Sequence, residues 1–324
     1  MGDGVPIKWL AKVIVQKAVS FTPDPDAWNH RLQKVFGREV LDRGTVVNRA
    51  DMAARHLEAF ERGGLSHGPA GFERPVTILE VGTGWHPIVP ILFFLLGAER
   101  IVSVDHVDHS SLDKLTMTVT EVADALAAGA LDEFLPHRFD GRDAELRRVA
   151  DTMGSMTEAE VLAALRIERA VGDAREIRLD GPVDAVVSNH VLEHVPAELL
   201  GPILSACFDM CVDGGVMSHT ADLIDHGHYV DHRLSQFNYL RYTPRQWKLV
   251  GNDIQHENRL RLPDYRRIYA EAGVPIDWEF TRNADPEHIA RIPVAEPFRS
   301  MDPLELQVQF AHFMSKRYGS AASS

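Results

Sequence analysis

Cysteine is nearly missing from this chain of 324 residues, which has only Cys207 and Cys211. Their spacing, read on a predicted helix, lacks the second half of a zinc site, and it builds no disulfide framework. They read as two reduced, partly buried thiols. Long hydrophobic runs are absent too, and none reaches the ~18 residues of a membrane span. The apolar stretch 7–19 is interrupted by Lys8, Lys12 and Lys17, charges that a signal-peptide core does not carry. Pro6 stands where a myristoylation signal needs Ser or Thr. The expectation is a cytoplasmic chain without stable membrane insertion, its 7–19 helix packed on the main domain rather than lying on a membrane. Positive charge is scarce: 34 Lys and Arg face 47 Asp and Glu, for a net charge of −13. A nucleic-acid backbone is therefore excluded as the main partner, because phosphate neutralisation needs clustered cations. Internal repeats and low-complexity linkers are also missing.

What is present is core-forming material, 45% hydrophobic residues, enough for one large domain with inserts. The most informative stretch is Val76-Thr77-Ile78-Leu79-Glu80-Val81-Gly82-Thr83-Gly84. A β-branched apolar run ends in an acid and two glycines spaced one apart. It reads as a buried parallel strand entering a tight turn, where glycine permits φ > 0 and lets a ligand approach the backbone. A helix follows at once, with Pro87 acceptable in its first turn. A dinucleotide fingerprint needs a third glycine at position 87, which Pro87 occupies.

Further strands are expected at 100–105, 168–171, 183–188 and 216–220, with 276–281 and 304–313 closing the sheet. Helices are expected at 27–35, 51–61, 110–128, from about Pro196 onward, and at 263–272. Strands alternating with helices imply an α/β fold. We expect a Rossmann-like seven-stranded sheet, mostly parallel with an antiparallel last strand, and helices on both faces. An N-terminal helical cap over 1–70 precedes the main domain, 71–324, which carries insertions at about 131–165 and 222–262. The second insertion, long and weakly periodic, has the character of a lid.

In such a sheet, ligands bind beyond the carboxyl ends of the strands. Those ends hold Glu80 to Gly84, Asp105-His106, Asp173-Ala174 and Ser188-Asn189-His190. An acid at the end of the second strand, Asp105, can accept both hydroxyls of a ribose, whether from a dinucleotide or another adenosine ligand. A carboxylate at Glu80 would repel a pyrophosphate and pair with a cation.

Glu80-x-Gly82-x-Gly84 resembles the first motif of the class I S-adenosylmethionine (SAM) methyltransferases, with His86 in place of the usual third glycine. Gly172-Asp173-Ala174 resembles that family's adenine-binding motif. The run Asp184-Ala185-Val186-Val187-Ser188-Asn189-His190-Val191-Leu192-Glu193-His194-Val195-Pro196 closely resembles the post-strand motif of its small-molecule members. The motifs fall in the family's order over 76–220. Gln16 to Ser20 and 241–261 look, more loosely, like an uncharacterised bacterial branch. The resemblance implies a SAM site of Glu80, Gly82, Thr83, Gly84, His86, Asp105, His106, Asp173, Ala174, Ser188 and Asn189. It implies methyl transfer to a small-molecule acceptor, O-methylation being slightly preferred. The alternatives are a SAM-binding partner protein without catalysis and an NAD-dependent oxidoreductase. Whether the chain forms a homo-oligomer is left open.

His190, Glu193 and His194 stand at i, i+3 and i+4, spacing that shares one face of a helix. It resembles the Glu-x-x-Glu-His metal site of ubiquinone-type and small-RNA 2′-O-methyltransferases. That resemblance implies a metal set of His190, Glu193, His194 and His219. Asp222, Asp225, His226, His228, Asp231 and His232 follow closely. A mixed His/carboxylate set suits Mn, Fe or Zn better than Mg. The rival expectation is a histidine general base, His219 or His226. Phe237, Tyr239, Tyr242 and Trp247, with Arg241 and Arg245, are expected either to roof an anionic acceptor or simply to pack an insertion.

Overall fold

The computed structural model describes residues 41–251 and 256–319. The expected helices at 7–19 and 27–35, and the segment 16–20, lie outside the described residues.

Seven strands form one sheet. In chain order they are β1 (Thr77–Val81), β2 (Arg100–Asp105), β3 (Ile167–Val171), β4 (Val183–Asn189), β5 (Cys211–Asp222), β6 (Trp278–Asn283) and β7 (Val308–Lys316). Their order across the sheet is β3-β2-β1-β4-β5-β7-β6. The pairs from β3 through β5 are all parallel. Only β7 runs antiparallel to both its neighbours. The order reverses between β1 and β4, where Val81 pairs with Ser188, so the turns after these strands lie side by side. This is the switch point at which open α/β sheets form a ligand crevice.

Strand alternation divides the core. Ile78, Ile101, Ala185 and Val216 pack with α1 (Arg43–Gly63), α2 (Ile88–Leu95), α3 (Leu112–Ala127), α4 (Arg142–Thr152) and α5 (Glu158–Ala164). Leu79, Val102, Val186 and Met217 pack with α6 (Ala197–Met210) and α8 (Leu262–Glu271) on the other face. Helix α7 (Pro244–Val250) buries none of its residues. The α2 helix is buried all round because its sequence, IVPILFFL, has no polar residue. The described part of the expected cap, α1, packs into the sheet's own core. Asp42 caps it through the Thr45 N–H, and Gly64, at φ +89°, ends it.

Two expectations are corrected. Cys211 lies at the start of β5, not on a helix with Cys207, because α6 ends at Met210. The β4–β5 register jumps from Val183↔Cys211 to Ala185↔Val216, with the glycine pair inside the jump and Gly214 at φ +82°. The last strand begins at Val308 rather than at 304, because Asp302 caps a short helix, Pro303–Leu306, with Pro in its first turn.

The segment 284–307, between the last two strands, is a second excursion. Its Ala284, Ala295, Phe298 and Leu306 form a separate small core with Phe237, Tyr239 and Leu240 of the 222–262 insertion. Arg261, completely buried, clamps the two together. Its guanidinium donates to Leu223 O at 2.9 Å, Tyr239 Oη at 2.7 Å and Leu306 O at 2.8 Å, and also to Val308 O. Arg261→Met strips these acceptors of their donor, which costs about 3 kcal/mol or more. Urea denaturation should show that loss, and limited proteolysis should cut 222–262 or 284–307 first.

Candidate active site at the sheet switch point

The turn after β1 is shaped by its glycines. Gly82 sits at φ +80°, and a Cβ there would lie 2.3 Å from Val191 Cγ2. Gly84, at φ +69°, has open space where its Cβ would be. The first glycine thus lets the post-β4 segment close onto the turn. The second leaves room for a ligand. Glu80 is buried beneath, accepting from Thr83 Oγ1 at 2.8 Å. Burial pushes its carboxyl up to about 7 against the opposing pull of the Thr83 bond and the Arg49 charge.

Asp105, at the end of β2, accepts from the Gly84 N–H at 2.8 Å and stands 3.1 Å from His106 Nδ1. Burial would raise its carboxyl, but these contacts and the Val107 N–H hold it below the usual range. The His106 side chain is itself 81% exposed. Thr83, Gly84, Trp85, Ser103, Asp105, Ser110, Arg169 and Ala170 line a cleft over the ends of β1 to β3. Trp85 was not anticipated. It stacks on His109 at 5.0 Å between centroids and carries Lys114 Nζ 3.7 Å from its ring. An aromatic directly after a Gly-x-Gly turn is the signal that would have found it.

Other candidate cofactor residues are engaged elsewhere. The His86 ring is turned onto α3, its Nδ1 2.8 Å from Thr118 Oγ1. Asp173 is clamped by Arg175, whose bonds hold its carboxyl down at about 2. Ala174 follows it in the same post-β3 turn. Ser188 and His219 are register partners on β4 and β5, and Ser188 Oγ lies 2.7 Å from His219 Nδ1.

The post-β4 segment is not the helix that the i, i+3, i+4 spacing suggested. His190 takes a left-handed φ of +54°, and Leu192–His194 form one 3-10 turn before α6. His190, Glu193 and His194 nevertheless converge with Asp222 and His226. Ligand atoms of Glu193, His194 and His226 lie within 4.8 Å of one another, as do those of His190, Glu193 and Asp222. His219 belongs to neither group. Among the other loop residues, Asp225 is bonded by the Gly227 N–H, Asp231 by Arg233, and His228 faces His232 and His288.

Glu193 is buried, with Oε1 accepting from the Asp222 N–H at 3.2 Å. Burial and the Asp222 charge push its carboxyl up to about 8. Asp222 accepts from Tyr229 Oη at 2.7 Å and from the Ile224 N–H at 3.0 Å. Burial opposes the charge on His226, but Asp222, Glu257 and Glu193 outweigh it and raise this imidazole to about 9. His194 Nδ1 donates to His256 O at 2.7 Å, which leaves the lone pair on Nε2. Burial brings His194 and His190 down to about 4. Glu193 Oε2 and His190 Nε2 are buried with no hydrogen-bond partner among the described residues.

A small cavity beside the cluster is lined by Glu193, Asp222, His226, Tyr239, Glu257, Asn258 and Arg259, among others. Phe237 and Tyr239 are core residues of the insertion, and Arg259 donates to Tyr242 O at 2.7 Å and lies over Trp247. The aromatic residues therefore pack the insertion, while Arg241 and Arg245 are exposed.

No family model and no curated protein matches the chain. Solved structures that resemble it include 1,6-didemethyltoxoflavin-N1-methyltransferase of Burkholderia thailandensis with bound 1,6-didemethyltoxoflavin and S-adenosylhomocysteine. The two are 12% identical over 98% of this chain and 93% of that one, with a TM-score of 0.44. Magnesium protoporphyrin IX methyltransferase of Synechocystis PCC 6803 with bound S-adenosylhomocysteine is 12% identical over 94% and 99%, TM-score 0.44. A SAM-dependent methyltransferase of Clostridium acetobutylicum ATCC 824 is 10% identical over 90% and 98%, TM-score 0.44. The seven-stranded, mostly parallel sheet with β7 antiparallel is the architecture expected of this chain. No helix among the described residues is long and apolar enough to cross a membrane.

Burial also sets a pH dependence. It lowers seven imidazoles from 6.5, His67 and His288 modestly and five far: His56, His190 and His194 to about 4, His219 to about 3 and His312 to about 2. A depressed histidine stabilises the fold above 6.5, and that stability is lost as pH falls toward its folded value. Glu80 and Glu193, raised to about 7 and 8, act oppositely, stabilising most below 4.5, and so does His226, raised to about 9, which stabilises most below 6.5. The lowered imidazoles outweigh these three, so the urea midpoint should fall as pH drops from 7 to 5. An unchanged or rising midpoint would contradict this neutral, buried set.

Proposed function

We propose that the chain is a SAM-dependent methyltransferase of small molecules, with oxygen as the preferred acceptor atom. One observation carries this reading. The switch point sets an open glycine turn over a buried acid, beside a converging His/carboxylate cluster on the segments after β4 and β5.

The residues fit the methyl donor. Gly84 leaves space at the turn, Glu80 offers a carboxylate to a ligand cation, and Asp105 stands at the cleft that Trp85 helps to wall. Asp173 would exchange its Arg175 contact for the adenine amino group. When bound, SAM supplies a methyl group already activated on a sulfonium, so the chain's task is mainly to orient the acceptor and exclude water. Glu80 and Pro87 speak against a dinucleotide at the same turn.

An acceptor hydroxyl also has to lose its proton. Two overlapping donor sets, Glu193 with His194 and His226, and His190 with Glu193 and Asp222, each have the chemistry for a divalent Mn, Fe or Zn ion. Glu193 Oε2 and His190 Nε2 supply two ligand atoms that have no hydrogen-bond partner among the described residues. A metal bound there would lower the acceptor's pKa. A second reading rests on the tautomer of His194. Its free Nε2 lone pair makes it the base, whereas His226 holds its proton up to about pH 9.

Calorimetry with S-adenosylhomocysteine tests the core of the proposal, and absence of binding would end it. Turnover of SAM in the presence of small-molecule extract separates an enzyme from a non-catalytic SAM-binding partner. Metal near one equivalent, with activity lost to chelator, supports the metal form. Less than a tenth of an equivalent with full turnover leaves His194 as base. In either form His194→Ala should lower kcat by roughly 10²–10⁴ while S-adenosylhomocysteine affinity stays within threefold of the parent.

A further inference from the structure

A buried polar chain runs across three strands to Asn189, next to the metal-type cluster. His56 of α1, Asn189 of β4, Ser218 of β5 and His312 of β7 are all buried. His56 Nε2 lies 3.0 Å from Asn189 Oδ1, and His56 Nδ1 lies 2.7 Å from Ser218 Oγ. Ser218 Oγ lies 2.7 Å from His312 Nε2. Burial keeps both imidazoles neutral near pH 7, so each ring has one donor and one acceptor nitrogen.

The donor bookkeeping then admits a single polarity for this arrangement. Asn189 Oδ1 only accepts, so His56 carries its proton on Nε2. Nδ1 of His56 is therefore an acceptor, and the Ser218 hydroxyl donates to it. The Ser218 oxygen in turn accepts from Nε2–H of His312. At the far end, Asn189 Nδ2 is a buried donor that makes no well-formed hydrogen bond among the described residues. Its polar neighbour is Glu80, whose carboxyl it helps to lower through a weak contact. A carboxylate neighbour favours the NH2 end of an amide over its oxygen, so both ends of the chain ask for the same orientation.

A core histidine bonded at both nitrogens would ordinarily need no further role. Here its partner is an amide at the switch point whose NH2 half faces Glu80 and makes no well-formed bond among the described residues. We propose that His56 is a positioning residue, which with Ser218 and His312 locks the Asn189 amide so that its NH2 meets a carboxylate oxygen of the methyl donor's amino-acid end, beside Glu80. The ligand half of this inference rests on the SAM reading. The hydrogen-bond polarity does not.

Long-range 1H–15N spectra of the labelled protein at pH 7 read the tautomers directly. Nε2–H forms of His56 and His312 are expected, and an Nδ1–H or charged His56 would overturn the inference. Calorimetry with S-adenosylhomocysteine reads the consequence. His56→Phe should weaken binding at least tenfold. His56→Gln, whose amide nitrogen restores the donor to Asn189, should stay within threefold of the parent. Equal affinity of the parent and His56→Phe, or equal weakness of the two variants, would refute positioning. Should His56→Phe not fold, the tautomers and the His56→Gln affinity still decide. If the parent binds no S-adenosylhomocysteine, the ligand half falls with the SAM reading, and the tautomers alone judge the chain.

Discussion

The contact between Gly82 and Val191 is the constraint on which the site depends. A side chain on Gly82 would occupy the volume that Val191 fills, and its left-handed φ makes the same demand. Because that side of the turn is bare, the segment leaving β4 can fold down onto it. His190 adopts its own left-handed conformation next door, an uncommon choice for a residue with a side chain. The turn presents the ligand space, and the post-β4 bend presents Glu193 and His194. Parallel pairing of β1 with β4 alone would place the strand ends together. The bare glycine brings their side chains within one site.

The electrostatics of that site follow from crowding acids and imidazoles where water is scarce. Glu193 is pushed toward its neutral form by burial and by Asp222, while His226 is drawn toward its charged form by three carboxylates. Between them His194 is held neutral, with its lone pair directed by the bond to His256. Residues of similar chemistry a few ångströms apart thereby take opposite proton affinities, as sites that move protons require.

Much of this was legible from the residues. The acid and glycines after an apolar run, and acids at the next strand ends, located the crevice because turns and strand ends have composition of their own. The spacing of His190, Glu193 and His194 suggested that they lie close together, and they do, although the helix inferred from it is a bend and a single 3-10 turn. His219 shows the limit. On a strand its neighbours alternate between faces, and only the parallel register reveals that it meets Ser188. Asp222 and His226 take the place beside Glu193 because β5 ends there and the chain turns back. No local pattern encodes that return path. The aromatic residues of 222–262 were ambiguous for a similar reason, since their packing partners lie at 284–307, which carries no periodic signal. The same holds for His56, whose importance depends on a serine and a histidine far along the chain.

The shared core of the two excursions bears on how the cluster can be reached. Phe237, Tyr239 and Leu240 interlock with Ala295, Phe298 and Leu306, and the Arg261 guanidinium ties carbonyls of both segments to one point. The covering beside the cluster is therefore a single block spliced from distant stretches, not a pair of independent flaps. Separating its halves would strand several carbonyls and a cation in an apolar setting. Any opening of this covering then favours displacement of the block as one piece, and a change in one excursion would have to be accommodated by the other.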